Sequence, residues 1–273
     1  MRRLLALFIL PFLLGAAPGQ MVSLCDRAQV PRASDGRVLN HFPYPQAYAG
    51  DLVPAPLGLA PGGNCLVQRA MLPDLERLAV AAAADPIVAG RLRAISCYRS
   101  TGYQSSVFCR RIGRDGSSST TERAWSSAPP GHSEHATGYV LDFGRANQAG
   151  CTDLAGCFPA TPEGRWLIAN AARFGLEMSF PAGSSQGVGW EPWHWRWVGK
   201  AGDPAGLYAR RLFARARAFF PANPAQGEPV TALAFTSAAP APVIAPARQE
   251  TARERRARER REKRERRARR RPS

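Results

Sequence analysis

Residues 129–144 read PPGHSEHATGYVLDFG and bring two of the chain's four histidines, a glutamate and an aspartate into one glycine-punctuated run. Imidazole and carboxylate groups are the donors of a catalytic zinc site, which takes about three protein ligands and keeps a coordination position for water. His135 and Asp142 are seven residues apart, so a bend around Ala136-Thr137-Gly138 has to turn one toward the other. Gly138 makes that bend easy. The third ligand must come from elsewhere, and WEPWHWRWV (190–198) supplies His194. Glu191 stands three residues before it, and Pro192 bends the chain between them while holding Glu191 extended. A carboxylate beside a metal that it does not ligate is what a water-activating general base requires. Taken singly, a histidine is more often a hydrogen-bonded structural residue than a ligand.

These side chains need elements to carry them. MLPDLERLAVAAAADP begins with Pro73 at the first helical position, places Leu75, Leu78, Ala79 and Ala82 on one face, and stops at Pro86. RLRAISCYRS reads as a short strand ending in a polar corner, TGYQSSVFCRRIG as a short helix closed by Gly113, and SSSTTERAWSSAPPG as a loop. TPEGRWLIANAARFG is the clearest helix: Thr161 caps it, Pro162 starts it, Gly175 closes it, and Trp166, Ile168, Ala169 and Ala172 are its expected buried side. LEMSF and WHWRWV alternate as strands, with Trp193, Trp195 and Trp197 facing one way as core and His194, Arg196 and Val198 the other. Helices and short strands without a βαβ rhythm predict an α+β fold, a small antiparallel sheet with flanking helices.

The first residues, MRRLLALFILPFLLGAAPGQ, have the charged start, the short apolar stretch and the small-residue end of an export signal, expected to be cut near Gly19. No later segment is apolar enough to cross a membrane, so the expected location is secreted or periplasmic. Six cysteines follow the signal, none in a CxxC pair, which suits disulfides in an oxidising compartment. Pairing of sequence neighbours, 25–65, 97–109 and 151–157, is the expectation. The domain should run over 20–220, followed by an Ala/Pro-rich linker (221–247) and an Arg-rich tail (248–273). Residues 248–271 hold 14 basic residues and 5 glutamates, a net +9 of the chain's +16, so much of the basicity belongs to the tail. Such a tail binds polyanions. The export signal argues against nucleic acid and for an anionic envelope surface, with a merely solvated tail the alternative.

YRSTGYQ, PGHSEHATGYVLD and EPWHWRWVG occur in the order and chemical pattern of VanY-type D-alanyl-D-alanine carboxypeptidases, which belong to a zinc metallopeptidase group shared with the lysostaphin-type enzymes and the hedgehog signalling domain. TPEGRWLIANAARFGLEMSFP also resembles that family's segment between the last two motifs, and the similarity spans roughly residues 70–200. The resemblance implies zinc held by His135, Asp142 and His194, in a domain that the cysteine count expects to be disulfide-braced. Glu191 is then the catalytic base, and Arg99 the group on the scissile carbonyl and its oxyanion. Gln104 and Ser133 fall where the family meets the end of its substrate. Read alone, Arg99 is a surface ion-pair residue, and Gln104 and Ser133 are loop braces. His132 varies in the family and is expected to lie behind the ligands or in solvent; His41 carries no functional expectation.

Three positions depart from the family pattern. Cys97 replaces a common glycine, which fits an added disulfide; Val140 replaces alanine; and Ser179 stands where arginine is frequent, removing a charge from the region of the cleft. The expected activity is removal of D-alanine from peptidoglycan stem peptides. L,D-carboxypeptidase or cross-link endopeptidase activity uses the same machinery, and a zinc-stabilised wall-binding module without turnover is the alternative of another class.

Overall fold

The computed structural model describes residues 19–25, 28–113 and 117–226. The expected signal apart from Gly19, most of the expected linker and the whole basic tail lie outside the described residues. Two antiparallel hairpins come first, β1 (Met21–Leu24) with β2 (Ala28–Pro31), and β3 (Leu52–Pro54) with β4 (Leu66–Gln68). Then follow helix α1 (Leu72–Ala84), strand β5 (Leu92–Ser96), helices α2 (Thr101–Cys109) and α3 (Thr120–Ala124), strand β6 (Val140–Arg145) and helix α4 (Pro162–Asn170). Strands β7 (Leu176–Met178) and β8 (His194–Trp197) and helices α5 (Leu207–Leu212) and α6 (Ala214–Phe219) complete the order.

The strands β5, β6, β8 and β7 form one antiparallel sheet in that order, so the fold is α+β as its sequence predicts. Its register pairs Val140 with Arg196, Leu141 with Trp195, Asp142 with His194, and Glu177 with Arg196. Cross-strand partners share a face while successive residues alternate. Asp142, His194, Arg196 and Glu177 therefore line one face, and Leu141, Phe143, Trp195, Trp197, Leu176 and Met178 the other. The apolar face joins Leu75 and Leu78 of α1 and Leu167 of α4 in the main core. Trp197 Nε1 also donates to Asp74 Oδ2 at 2.9 Å, tying β8 to α1. The alternation expected for the tryptophan strand holds, and β8 is buried on both faces.

Helix α1 has Pro73 in its first turn and buries Leu75, Leu78 and Ala82. In α4 the Thr161 side chain accepts from Gly164 N, and Gly175, in the left-handed region at φ +72°, closes the 3-10 turn that follows. Its buried residues are Glu163, Gly164, Leu167, Ala171 and Phe174; Trp166 and Ile168 are only partly covered, and Ala169 is exposed. The expected face was rotated because the two largest apolar side chains, Trp166 and Ile168, flank the stripe and do not define it. The expected loop 117–131 contains α3, which begins at a local signal: Ser119 Oγ accepts from Glu122 N, and the Glu122 carboxylate accepts from Ser118 N.

The three disulfides are Cys25–Cys109, Cys65–Cys97 and Cys151–Cys157. The last is as expected; the other two correct the neighbour pairing. Cys97 precedes α2 and Cys109 ends it, so a nine-residue helix about 13 Å long stands between the two. Tyr98 N instead donates to Leu66 O at 2.9 Å and lays Cys97 beside Cys65, with Cα atoms 5.2 Å apart. Phe108 packs with Leu24 and Val30 in a second small core, which brings Cys109 to Cys25.

Candidate metal centre

Asp142 and His194 meet because they are register partners on adjacent strands. His135 reaches them from the 3-10 turn Glu134–Thr137, which ends at Gly138 with φ +74°. His135 Nε2 is 3.1 Å from Asp142 Oδ2, and His194 Nδ1 is 3.1 Å from Asp142 Oδ1. The three donor atoms lie within 4.8 Å of one another and all three residues are buried. A Cβ at Gly138 would sit 2.8 Å from Leu52 Cδ2 and 3.2 Å from Gln68 Cγ, in a backbone conformation that L residues avoid. Gly138→Ala is therefore expected to cost about 1–3 kcal/mol of stability and to weaken metal binding. Urea unfolding and a metal titration check it; unchanged values in both would show that the turn is not what aligns His135 with β6.

Around the cluster, His135 Nδ1 donates to Cys97 O at 2.8 Å. Glu191 Oε2 lies 3.6 Å from His194 Nδ1, across a turn in which His194 N donates to Glu191 O at 3.0 Å. Pro192 makes that turn, as its position in the sequence predicts. Arg99 N donates to His135 O at 3.2 Å, and the Arg99 Nε is buried without a partner. Behind the cluster sits Glu134, to which the sequence assigns no role. Its Oε1 accepts from Tyr44 Oη at 3.2 Å and Arg196 Nη1 at 3.0 Å, and its Oε2 from Ser179 Oγ at 2.6 Å and His194 Nε2 at 3.1 Å. A signal for it existed. Arg196 shares the strand parity of His194, and a guanidinium on a buried strand needs a carboxylate.

Burial pushes Glu191 up to about 7, with the charge of Asp142 adding to it and that of His194 opposing. Burial would likewise raise Glu134, but the Arg196 guanidinium and the His194 contact outweigh it and hold Glu134 at about 2. Asp142, also opposed by burial, is held well below the carboxylate range by His135 and His194. Burial lowers His135. For His194 burial is overcome by hydrogen bonds to Asp142 and Glu134, which lift it to about 10. A ring held between two carboxylates is a site for positive charge, and a divalent cation can take it in the proton's place. Two imidazoles and a carboxylate, buried and convergent, fit such an ion by donor chemistry.

The other expected site residues lie in the segments that flank this cluster. Gln104, in α2, is fully buried; its Nε2 donates to Ala128 O at 2.6 Å while Oε1 has no partner. Ser133 is buried directly before the 3-10 turn. Ser179, expected in the region of the cleft, is buried against Glu134. His132 is buried outside the cluster, with Nδ1 donating to Pro130 O at 3.0 Å. His41 Nε2 donates to Ala124 O at 2.8 Å, and burial holds this histidine down at about 4 against an ordinary 6.5. The unfolded chain therefore takes up a proton near pH 6.5 that the folded chain refuses until about pH 4. Stability from His41 is complete above 6.5 and falls by about 3 kcal/mol as pH drops through this window. Chemical denaturation from pH 7 to 4, with His41→Gln alongside, tests it: the variant should lose that part of the slope.

A family model described as VanY, D-alanyl-D-alanine carboxypeptidase, matches residues 64–200. The chain is 32% identical over 111 residues to the Bacillus subtilis (strain 168) protein YodJ, covering 40% of this chain and 39% of that protein. It is 36% identical over 73 residues to a D-alanyl-D-alanine carboxypeptidase of Enterococcus faecium, covering 26% and 22%. The matches thus span about two fifths or less of these relatives' own length. Among solved structures, the LdcB LD-carboxypeptidase superposes with TM-score 0.50 and 22% identity over 66% of this chain and 85% of that one, a likeness of fold. A vancomycin-resistance D,D-pentapeptidase VanY variant in complex with Zn(II) has TM-score 0.46 and 26% identity over 58% and 84%. With half of its length matched by the family model, the chain belongs to the VanY family of D-alanyl-D-alanine carboxypeptidases.

Proposed function

We propose that this chain is an exported zinc-dependent D,D-carboxypeptidase that removes the terminal D-alanine of peptidoglycan stem peptides. The observation that carries the reading is the convergence of His135 Nε2, Asp142 and His194 Nδ1 with the Glu191 carboxylate beside them, in a chain of this family. His135, Asp142 and His194 would hold the zinc. Bound there, zinc supplies a Lewis acid for the scissile carbonyl and lowers the pKa of water. Glu191, with its proton affinity raised toward neutrality by burial, accepts the proton of the attacking water and returns it to the leaving amine. Arg99 brings a fixed positive charge and an unpaired Nε to the side on which negative charge develops. Gln104 has its amide nitrogen engaged with Ala128 O, so its free Oε1 serves a substrate N–H and not the terminal carboxylate. Ser133 holds the same end of the peptide.

Three disulfides suit an oxidising compartment outside the cytoplasm. Among the described residues no helix is long and apolar enough to cross a membrane. In this reading the basic tail holds the enzyme to an anionic envelope surface. Mass spectrometry of defined pentapeptide, tetrapeptide and cross-linked muropeptides, incubated with the zinc-loaded protein and with chelated protein, tests the activity. Loss of one D-alanine from the pentapeptide, abolished by chelation, is expected. Release from the tetrapeptide alone would make it an L,D-carboxypeptidase, and cleavage of the cross-link an endopeptidase. Zinc binding with no product from any substrate would leave a wall-binding module.

A further inference from the structure

Glu134 accepts four hydrogen bonds and donates none, and one of the four comes from a metal-centre histidine. Building on the zinc reading above, we propose that Glu134 is a positioning residue that selects Nδ1 of His194 as the ligating atom. A neutral imidazole has one N–H and one lone pair, and either nitrogen can carry the proton. The nitrogen facing Asp142 is Nδ1, at 3.1 Å, and that atom has to be bare to join Asp142 in holding a cation. The proton must then stay on Nε2, where Glu134 Oε2 receives it at 3.1 Å. His135 is set by the main chain, through Cys97 O. His194 is set by a side chain, and so by residue choice.

The geometry makes the role specific to a carboxylate. Arg196 is a donor only, and its Nη1 faces Oε1 of Glu134 together with Tyr44 Oη. In Glu134→Gln the amide oxygen has to keep the Oε1 place to satisfy Arg196, so the NH2 group occupies the Oε2 place against Ser179 Oγ and His194 Nε2. Ser179 can turn its hydroxyl and accept. His194 Nε2 can accept only by sending its proton to Nδ1, the ligand position. A near-isosteric change thereby reverses the tautomer without altering the ring's surroundings in size.

The test is zinc affinity, measured by chelator competition on the full purified chain for wild type, E134Q and S179A. Ser179→Ala removes the other hydrogen bond to the same oxygen without touching His194. The expected result is a 10–100-fold loss of zinc affinity in E134Q and a change of less than about threefold in S179A, with the cobalt(II) absorption spectrum altered only in E134Q. Equal affinity in E134Q and wild type overturns the proposal, as do equal losses in both variants, which would mean loosened packing. Nitrogen-15 NMR of the zinc-loaded wild type gives a reading that does not depend on a variant folding. His194 must show a protonated Nε2 and a ligated Nδ1, and the reverse pattern sinks the idea. A wild-type chain that binds no zinc would instead fail the proposed function, and this inference with it.

Discussion

Glu191→Gln should lower the rate of D-alanine release by about 10²–10⁴-fold while leaving one zinc per chain. The carboxylate lies 3.6 Å from His194 Nδ1 but is not one of the three convergent donors, so removing its basicity leaves the ligand set whole. The main-chain turn that places it, His194 N to Glu191 O at 3.0 Å, does not involve the side chain and survives the change. The amide is nearly isosteric, so the fold should be unaltered. The measurement is kcat on a pentapeptide beside metal analysis of the same sample. A kcat within threefold of wild type would remove Glu191 from the proton path and leave the water's proton to another group. Loss of zinc together with activity would instead make Glu191 a part of the metal site.

Glu177→Leu is the second large effect, in stability. Glu177 is fully buried on β7, and its Oε1 accepts from Arg196 Nε at 2.7 Å and Arg217 Nε at 2.9 Å. Its Oε2 accepts from Gln226 N at 2.9 Å, so one carboxylate joins β8, α6 and the last described residue. The Arg196 guanidinium continues to Glu134, so the polar face of the sheet is one connected network of buried charge. Removing the carboxylate strips two guanidinium groups of their shared partner. A loss of about 3–5 kcal/mol is expected, or a fall of about 10 °C in Tm for a domain of this size. Pairing it with Arg217→Met should recover part of that loss, because replacing both members of a buried ion pair by apolar side chains removes the desolvation cost of the remaining charge. Thermal unfolding of the single and double variants decides it. A single-variant cost under 1 kcal/mol would mean that water reaches the guanidinium groups and the network is not dry.

The two predictions draw on parts of the molecule that were unequally visible beforehand. Glu191 was legible because its placement is local: Pro192 and three residues of spacing set it beside His194. The strand alternation at 193–198 and the bend at Gly138 were legible for the same reason. The disulfide pairs Cys25–Cys109 and Cys65–Cys97 were not, since they depend on which segments lie side by side. The stripe of α4 was misplaced because Trp166 and Ile168 weigh heavily in a pattern yet sit at its margin. Glu163 and Glu177 are lone carboxylates and carry no spacing signal, while Glu134 is signalled only indirectly, through the buried guanidinium of Arg196. Glu163 is buried against Arg91 and Arg145, and nothing near it in sequence announces either partner.

The amino-acid sequence by itself determined the donor types of the candidate metal centre, the backbone devices that aim them and the order of the motifs. Each of these follows from the chemistry of a few neighbouring residues. Only the tertiary structure decided that Asp142 and His194 are register partners, that Glu134 stands behind His194, and that Arg196 and Glu177 carry the buried charge onward to Arg217. Those are contacts between residues tens of positions apart. A buried charge is stable only where its partner arrives in three dimensions, and the pairing of strands distant in sequence brings the partner there.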